Sequence, residues 1–417
     1  MVPTANLIIK MPLRLSVSDL ESHIDRHLVH WHQGGPSDSS LGSRPREEPD
    51  VVAFDLRACE WIHPSALLYL ISFVVRRKAA RKTTNLLLPS SERARYFLEA
   101  WRFHDAFLAA VGESVASVCV GENRDFFEFA PHRENPYAGH WVDGPFGEDR
   151  LLPKYFFEIS TFKRQFNLFD SSLALSESAR WDRVGQVLRR SLAGPANLLA
   201  SRIIFEALLN AVRHPAADTI QIVSFMQRSR AGGTFTVSVW DDGIPIGRTL
   251  KHAAQSGLSI APPVDLQLRA SYRRLLGHAF QKERRDGGIV RSTDIPDKSA
   301  TEGDFLLASV FPGTTRDRRG HGPVPEALDD ARSDVLAQPG MGLFLLANTA
   351  VAVYGGVVQL RAGDWNLKLS KPPHDEQPAD DQDFGDTCDA ELVDYPNWHP
   401  FNGNLVTVRL PLRAGAV

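Results

Sequence analysis

Cysteine is scarce. Three residues in 417, Cys59, Cys119 and Cys388, stand far apart with no C-x-x-C pair, which argues against a disulfide framework and for a reducing compartment. Charge of one sign is lacking as well: 47 Lys and Arg against 50 Asp and Glu leave a formal net charge of −3, so no global basic excess points to nucleic acid. The longest apolar run, Ser65 to Val75, is too short to span a bilayer and stops at Arg76, Arg77 and Lys78. The N-terminus lacks the organisation of a signal peptide. These absences predict a cytoplasmic protein with no membrane partner. Also missing are the G-x-x-x-x-G-K-S/T phosphate loop, the H-E-x-x-H zinc pair and the H-R-D set of protein kinases.

The composition that remains, 43% hydrophobic and 23% charged, is that of a globular protein, in a chain too long for one ordinary core. Two or three domains are expected. Residues 1–120 alternate strand and helix: strands at Asn6 to Met11, Val51 to Leu56 and Asn85 to Leu88, helices at Ser16 to His32, Pro64 to Lys78 and from Ser91 past Trp101. Pro64 suits a first helical turn and Ser91 can cap one. Gln33 to Asp50, rich in Gly, Pro, Ser and charge, reads as a surface loop. Residues 121–150 read as a connector packing through Phe126, Phe127, Tyr137 and Trp141, and residues 151–417 as a second domain.

Val51 to Leu70, VVAFDLRACEWIHPSALLYL, resembles a STAS domain, the fold of anti-sigma factor antagonists and transporter tails. In that family a buried strand ends in Asp-Leu, and a short loop leads to a helix whose first residues carry a Ser. Asp55, Leu56, Ile62, Ser65 and Leu67 fit, whereas His63 and Pro64 replace the usual Asp and small hydroxyl residue. The resemblance implies a phosphorylation switch at that helix start, where the helix N-terminus favours a phosphate. Ser65 is the hydroxyl left to take it; its plainer role is to begin a helix.

The second domain is organised around Leu198 to His214, LLASRIIFEALLNAVRH. Glu206, Asn210 and His214 follow one another at i, i+4 spacing and span an arc of about 80°, while Ile204, Leu208 and Ala211 point away. A polar stripe on an otherwise apolar helix is a hydrogen-bonded seam or a ligand site. Two alternating runs follow, Thr219 to Phe225 and Thr234 to Trp240, a hairpin signal. The second run leads into Asp241, Asp242 and Gly243, where a carboxylate beside a glycine can accept from an exocyclic amine. Later, Gly340 and Gly342 precede an apolar helix, Leu343 to Val353, whose first N–H groups suit an anion.

These three blocks, in this order, resemble the GHKL ATPases, the group of gyrase, MutL, the large heat-shock chaperone, histidine kinases and anti-sigma factor serine kinases. Glu206, Asn210, Ala211 and His214 fit the N box, Asp241 and Gly243 the adenine-recognition turn, and Gly340, Gly342 and Leu343 the G2 box. Pro245 stands where a second glycine is usual, and Phe344 replaces a later one, as in the anti-sigma kinase branch. The resemblance implies an α/β protein in which a STAS-like domain precedes a GHKL, or Bergerat-type, α/β sandwich closed by the strand Asn404 to Leu410. It implies ATP and Mg²⁺ as cofactors. Asn210 would hold the metal, Glu206 would orient or deprotonate the attacking water or hydroxyl, Asp241 and Gly243 would meet adenine, and Gly340, Gly342 and Leu343 would face the phosphates, with His214 beside them. There is no histidine-kinase phosphoacceptor helix.

Residues 244–339 read as a long lid insertion holding a basic amphipathic stretch, Leu266 to Arg285, with Lys251, Arg273 and Arg274 as its residues of interest. Residues 371–400, with Asp380, Asp381, Asp383, Asp386 and Asp389, read as an acidic solvated loop. The resulting expectation is a Mg-ATP-binding signalling protein that couples ATP binding or hydrolysis in the GHKL domain to its STAS-like domain, either by Ser/Thr phosphotransfer to a STAS or other regulatory protein or by being gated by one. The alternatives are an ATP-driven switch that forms a homodimer and a nucleotide sensor that binds without turnover.

Overall fold

VVAFD carries no polar side chain before Asp55, the pattern of a strand buried on both faces, and in the computed structural model it is the middle of a three-stranded parallel sheet. The structure describes residues 7–20, 22–24, 48–128, 141–143, 149–151, 159–163, 207, 210–211, 217–229, 232–258, 282–283, 289–290, 298–310, 342–371, 389–394 and 401–412. Helices mix with parallel and antiparallel strands, so the protein is α/β. Two compact units emerge: Met1–Lys163 with Gln221–Arg230, and Arg164–Ile220 with Ala231–Val417. No described helix is long and apolar enough to cross a membrane.

In the first unit, strands β1 (Leu7–Lys10) and β5 (Thr83–Leu87) flank β3 (Val51–Asp55), with Ile9 beside Phe54 and Phe54 beside Leu86. Two short strands, β2 (Arg14–Leu15) and β4 (Trp61–Ile62), pair in parallel. Helix α1 (Pro64–Ala79) is buried on every face from Pro64 to Val74. Its start is fixed by His63 Nδ1, which accepts from the Ser65 N–H at 3.3 Å. Its last turn carries Arg76, Arg77 and Lys78, cations against the negative end of the helix dipole. Ser65 is fully buried, so the hydroxyl that the sequence offers for phosphorylation has no exposed surface here.

The single helix expected after Ser91 is two, α2 (Glu92–Ala100) and α3 (Phe103–Val111). Ser91 caps the first, but Trp101 is anchored in the core and Arg102 turns left-handed at φ 51°, which ends it. Phe126 and Phe127 lie on a 3₁₀ turn, Arg124–Glu128, against Tyr96 and Phe103. Strands β6 (Trp141–Asp143) and β7 (Asp149–Leu151) pair antiparallel. Strand β9 (Thr219–Ser229) runs beside β7 and β8 (Ser160–Lys163), and the buried Gln221 donates to the Ala106 carbonyl at 2.7 Å and to Thr161 Oγ1 at 3.2 Å.

The second unit holds an antiparallel run of five strands in the order β15-β14-β13-β16-β10: β10 (Gly232–Asp241), β13 (Val357–Gly363), β14 (Trp365–Ser370), β15 (Asp389–Asp394) and β16 (Phe401–Leu412). Two-residue strands β11 (Lys282–Glu283) and β12 (Ile289–Val290) pair separately. Side-chain alternation sorts the large sheet into faces. Phe235, Val237, Val239, Val406, Val408, Leu410, Val358 and Leu360 share the apolar one, while Thr236, Ser238, Thr407, Arg409 and Gln359 share the other. Asp241 and Asn404, opposite each other in register, fall on the apolar face at its end.

Two helices inside the segment read as a lid pack on this unit. Helix α4 (Ile246–Gln255) crosses α5 (Glu302–Ala308) so closely that a Cβ on Gly247 would lie 2.1 Å from the Glu302 carbonyl oxygen. Leu250, Ala253 and Phe305 fill the contact, Arg248 Nε meets Glu302 Oε1 at 2.9 Å, and Gly303 lies flat against the Trp365 ring. The acidic segment likewise contains strand β15, because DAELVD alternates, and Glu391 pairs with Lys368 Nζ at 3.1 Å. Arg273 and Arg274, with most of the rest of both segments, lie outside the described residues. Helix α6 (Gly342–Asn348) runs into a π turn, Thr349–Val353, that packs on β13 and β16.

Candidate functional site

Asp241 ends strand β10 and is only 4% exposed. A buried carboxylate needs donors, and two converge on Oδ1: the Gly243 N–H at 3.0 Å and Asn404 Nδ2 at 2.9 Å. Asn404 does more. Its Oδ1 accepts from the Ile246 N–H at 2.8 Å and its Nδ2 reaches the Ile244 carbonyl at 3.3 Å. One side chain of β16 therefore holds both ends of the turn that joins β10 to α4. The neighbouring Gly403 has φ +82°, and a Cβ there would collide with the Asp241 carbonyl oxygen. Burial pushes the Asp241 carboxyl up to about 7, opposed by the Asn404 and Gly243 hydrogen bonds and reinforced by the charge of Asp242.

The adjacent carboxylate has different work. Asp242 Oδ1 accepts from the Asp218 N–H at 2.7 Å and the Thr219 N–H at 2.9 Å, and the Asp242 N–H donates to the Thr219 carbonyl at 3.2 Å. It clamps the start of β9. Replacing Asp242 by Ala is expected to cost about 1.5–3 kcal/mol in urea unfolding, the usual worth of hydrogen bonds to a charged group. A loss under about 0.5 kcal/mol would show that the clamp contributes no more than an ordinary surface contact.

Asn210 and Ala211 are helical, as is Ala207 one turn before. Ala207 and Ala211 are buried, and Asn210 Nδ2 is enclosed without a hydrogen-bond partner. An enclosed amide with nothing to bond is costly; turned over, the same group presents the oxygen that a hard cation takes. A single amide supplies one ligand of such a cation's shell. Among the described residues no three His, Cys, Asp or Glu cluster to hold one by themselves.

Gly342 opens α6, with Leu343 and Phe344 buried behind it. Glu206, His214 and Gly340 lie outside the described residues. Of the residues singled out in sequence, Asp241 and Gly243 are joined in one hydrogen-bonded turn, while Asn210, Gly342 and Leu343 stand on separate helices of the same unit. Asn404 and Gly403 were not singled out, although Asn402-Gly403-Asn404 before the alternating run Leu405 to Leu410 is a visible signal of a special strand start. Compared with known proteins, the chain matches no family model, no curated protein and no solved structure.

Proposed function

We propose that this protein is a Mg-ATP-binding signalling protein of the GHKL type, with a STAS-like domain preceding the nucleotide domain. The observation that carries the reading is the Asp241 turn: a buried carboxylate at the end of a strand, followed by Gly243 and then a helix, on the helix-covered face of an antiparallel sheet. In this reading Asp241 accepts the adenine amine, Gly243 lets the base approach the backbone, and Gly340, Gly342 and Leu343 face the phosphates. Asn210, with its unsatisfied amide, holds Mg²⁺, Glu206 activates the attacking oxygen, and His214 lies beside the phosphates. Bound Mg²⁺ would supply charge neutralisation of the phosphate oxygens.

Because Ser65 is buried, phosphotransfer is directed to a partner, a STAS or other regulatory protein, rather than to the chain's own helix start. One observation favours a second reading, the sensor. Pro245 is buried, and a Cβ on Gly363 would sit 3.4 Å from its Cγ, so the turn where the family usually has a glycine is pinned to the β13–β14 hairpin.

Incubation with Mg²⁺ and γ-labelled ATP separates the possibilities. Label transferred to a STAS-containing partner, lost in Glu206→Ala, is the expected result; free phosphate alone means a switch, and binding with neither means a sensor. Absence of ATP binding would overturn the nucleotide site altogether.

A further inference from the structure

An amide buried in a sheet is costly unless its donors and its acceptor are all used. Asn404, near the start of β16, is such a group. Its Nδ2 donates to Asp241 Oδ1 at 2.9 Å and to the Ile244 carbonyl at 3.3 Å, and its Oδ1 accepts from the Ile246 N–H at 2.8 Å. Further along the same face β16 carries Val406 and Val408, so alternation alone would place an aliphatic side chain here. The amide serves the turn rather than the core.

A donated N–H stabilises a carboxylate more than the neutral acid. Burial opposes the Asp241 charge and pushes the carboxyl up to about 7; the Asn404 hydrogen bond resists this most, the Gly243 N–H less, and Asp242 adds like charge. Asp242 is itself tied to the Asp218 and Thr219 N–H groups. Among the described elements around Asp241, β13 and β16 present Ala362, Leu360 and Val406 on this face, and α4 turns Gly247, Leu250 and Ala253 inward. Glu302 of α5 is paired with Arg248. Of these described groups it is a neutral side chain, Asn404, that most favours the charged carboxyl.

We infer that Asn404 is a positioning residue of the candidate nucleotide site: it holds Asp241 as a hydrogen-bond acceptor with a fixed carboxyl plane, and so decides over which pH range a base bearing an exocyclic amine is taken up. The inference rests on the reading of Asp241 as the residue that meets the base. In this role Asn404 acts through Asp241 and the start of α4, not on the ligand.

The test compares full-length wild type with Asn404→Leu from mildly acid to alkaline solution, reading urea stability without nucleotide and ATP affinity with Mg²⁺ by calorimetry. In wild type the Asp241 contribution to stability, taken as the difference from the same protein carrying Asp241→Asn, is lost as pH rises towards about 7. In Asn404→Leu that loss should continue for roughly one to two pH units more, the worth of a hydrogen bond to a charged group. The rise of ATP affinity should move up by the same amount, leaving affinity in neutral solution about five- to fiftyfold below wild type. Should Asn404→Leu fail to fold, Asn404→Thr carries the test, because its shorter hydroxyl is a poorer-placed donor and shifts both profiles the same way by less. A merely structural Asn404 would lower affinity equally at every pH. An ATP profile that keeps its wild-type midpoint overturns the role of Asn404 while the nucleotide site stands; no ATP binding by wild type overturns the site and this role with it, whatever the stability profiles show.

Discussion

Asp241→Asn is expected to weaken ATP binding tenfold or more. A hydrogen bond to a charged acceptor is worth about 1.5–3 kcal/mol, and an amide in this position offers an NH₂ group to a base that also presents one. The fold should survive, because an amide oxygen can still accept from Gly243 and Asn404. Two pH profiles accompany the substitution. The folded protein holds the Asp241 proton up to about 7, whereas the unfolded chain releases it near 3.8. Stability from this group is therefore full below the unfolded value and lost as pH rises towards 7. Asp241→Asn should lack that slope, so its stability relative to wild type should improve from mildly acid to mildly alkaline solution. ATP affinity of the wild type should rise over the same interval as the carboxylate forms. Calorimetry across that range decides: affinity unchanged by the substitution removes Asp241 from the adenine site.

Arg77→Ala should be the most damaging single change in the first unit. The guanidinium is fully buried. It pairs with Glu48 at 2.8 Å and donates to Thr84 Oγ1 and to the carbonyls of Pro49, Asp50 and Thr83 at 2.8–3.0 Å. These contacts sew α1 to the residues entering β3 and β5. Breaking such a pair costs about 3–5 kcal/mol, a large part of a typical domain's stability. Arg77→Lys should rescue little, because a point charge cannot reach four acceptors, and the more exposed Arg76 should matter less. Burial pushes the Glu48 carboxyl up, but Arg76 and Arg77 outweigh it and hold the group below its ordinary value. Its contribution is complete above the unfolded value of 4.5 and is lost as pH falls through the folded one. Urea unfolding of Arg77→Ala measures the whole effect; a loss under about 1 kcal/mol would show that the pair contributes no more than one on the surface.

Local chemistry made several elements legible. Pro64 at a first turn, Ser91 as a cap and the alternation from Thr234 to Trp240 are set by residues within a few positions of one another, and the structure shows α1, α2 and β10 there. Trp101 was different: nothing local announces that its indole enters the core and breaks the helix at Arg102. At the candidate site the sequence supplied Asp241 and Gly243 as a turn, but not the partner that holds the turn, since Asn404 is 163 residues away.

The sequence by itself determined the alternation of strands and helices, the buried central strand at Val51 and the Asp-x-Gly turn after β10, because backbone preference and side-chain period act over short distances. Tertiary structure alone decided that Glu48, within a loop-like stretch, answers Arg77, that Ser65 is sealed, and that Asp242 clamps a strand while Asp241 faces Asn404. Each of these depends on strand register and on which surfaces close over a charge, and neither is fixed until distant segments meet.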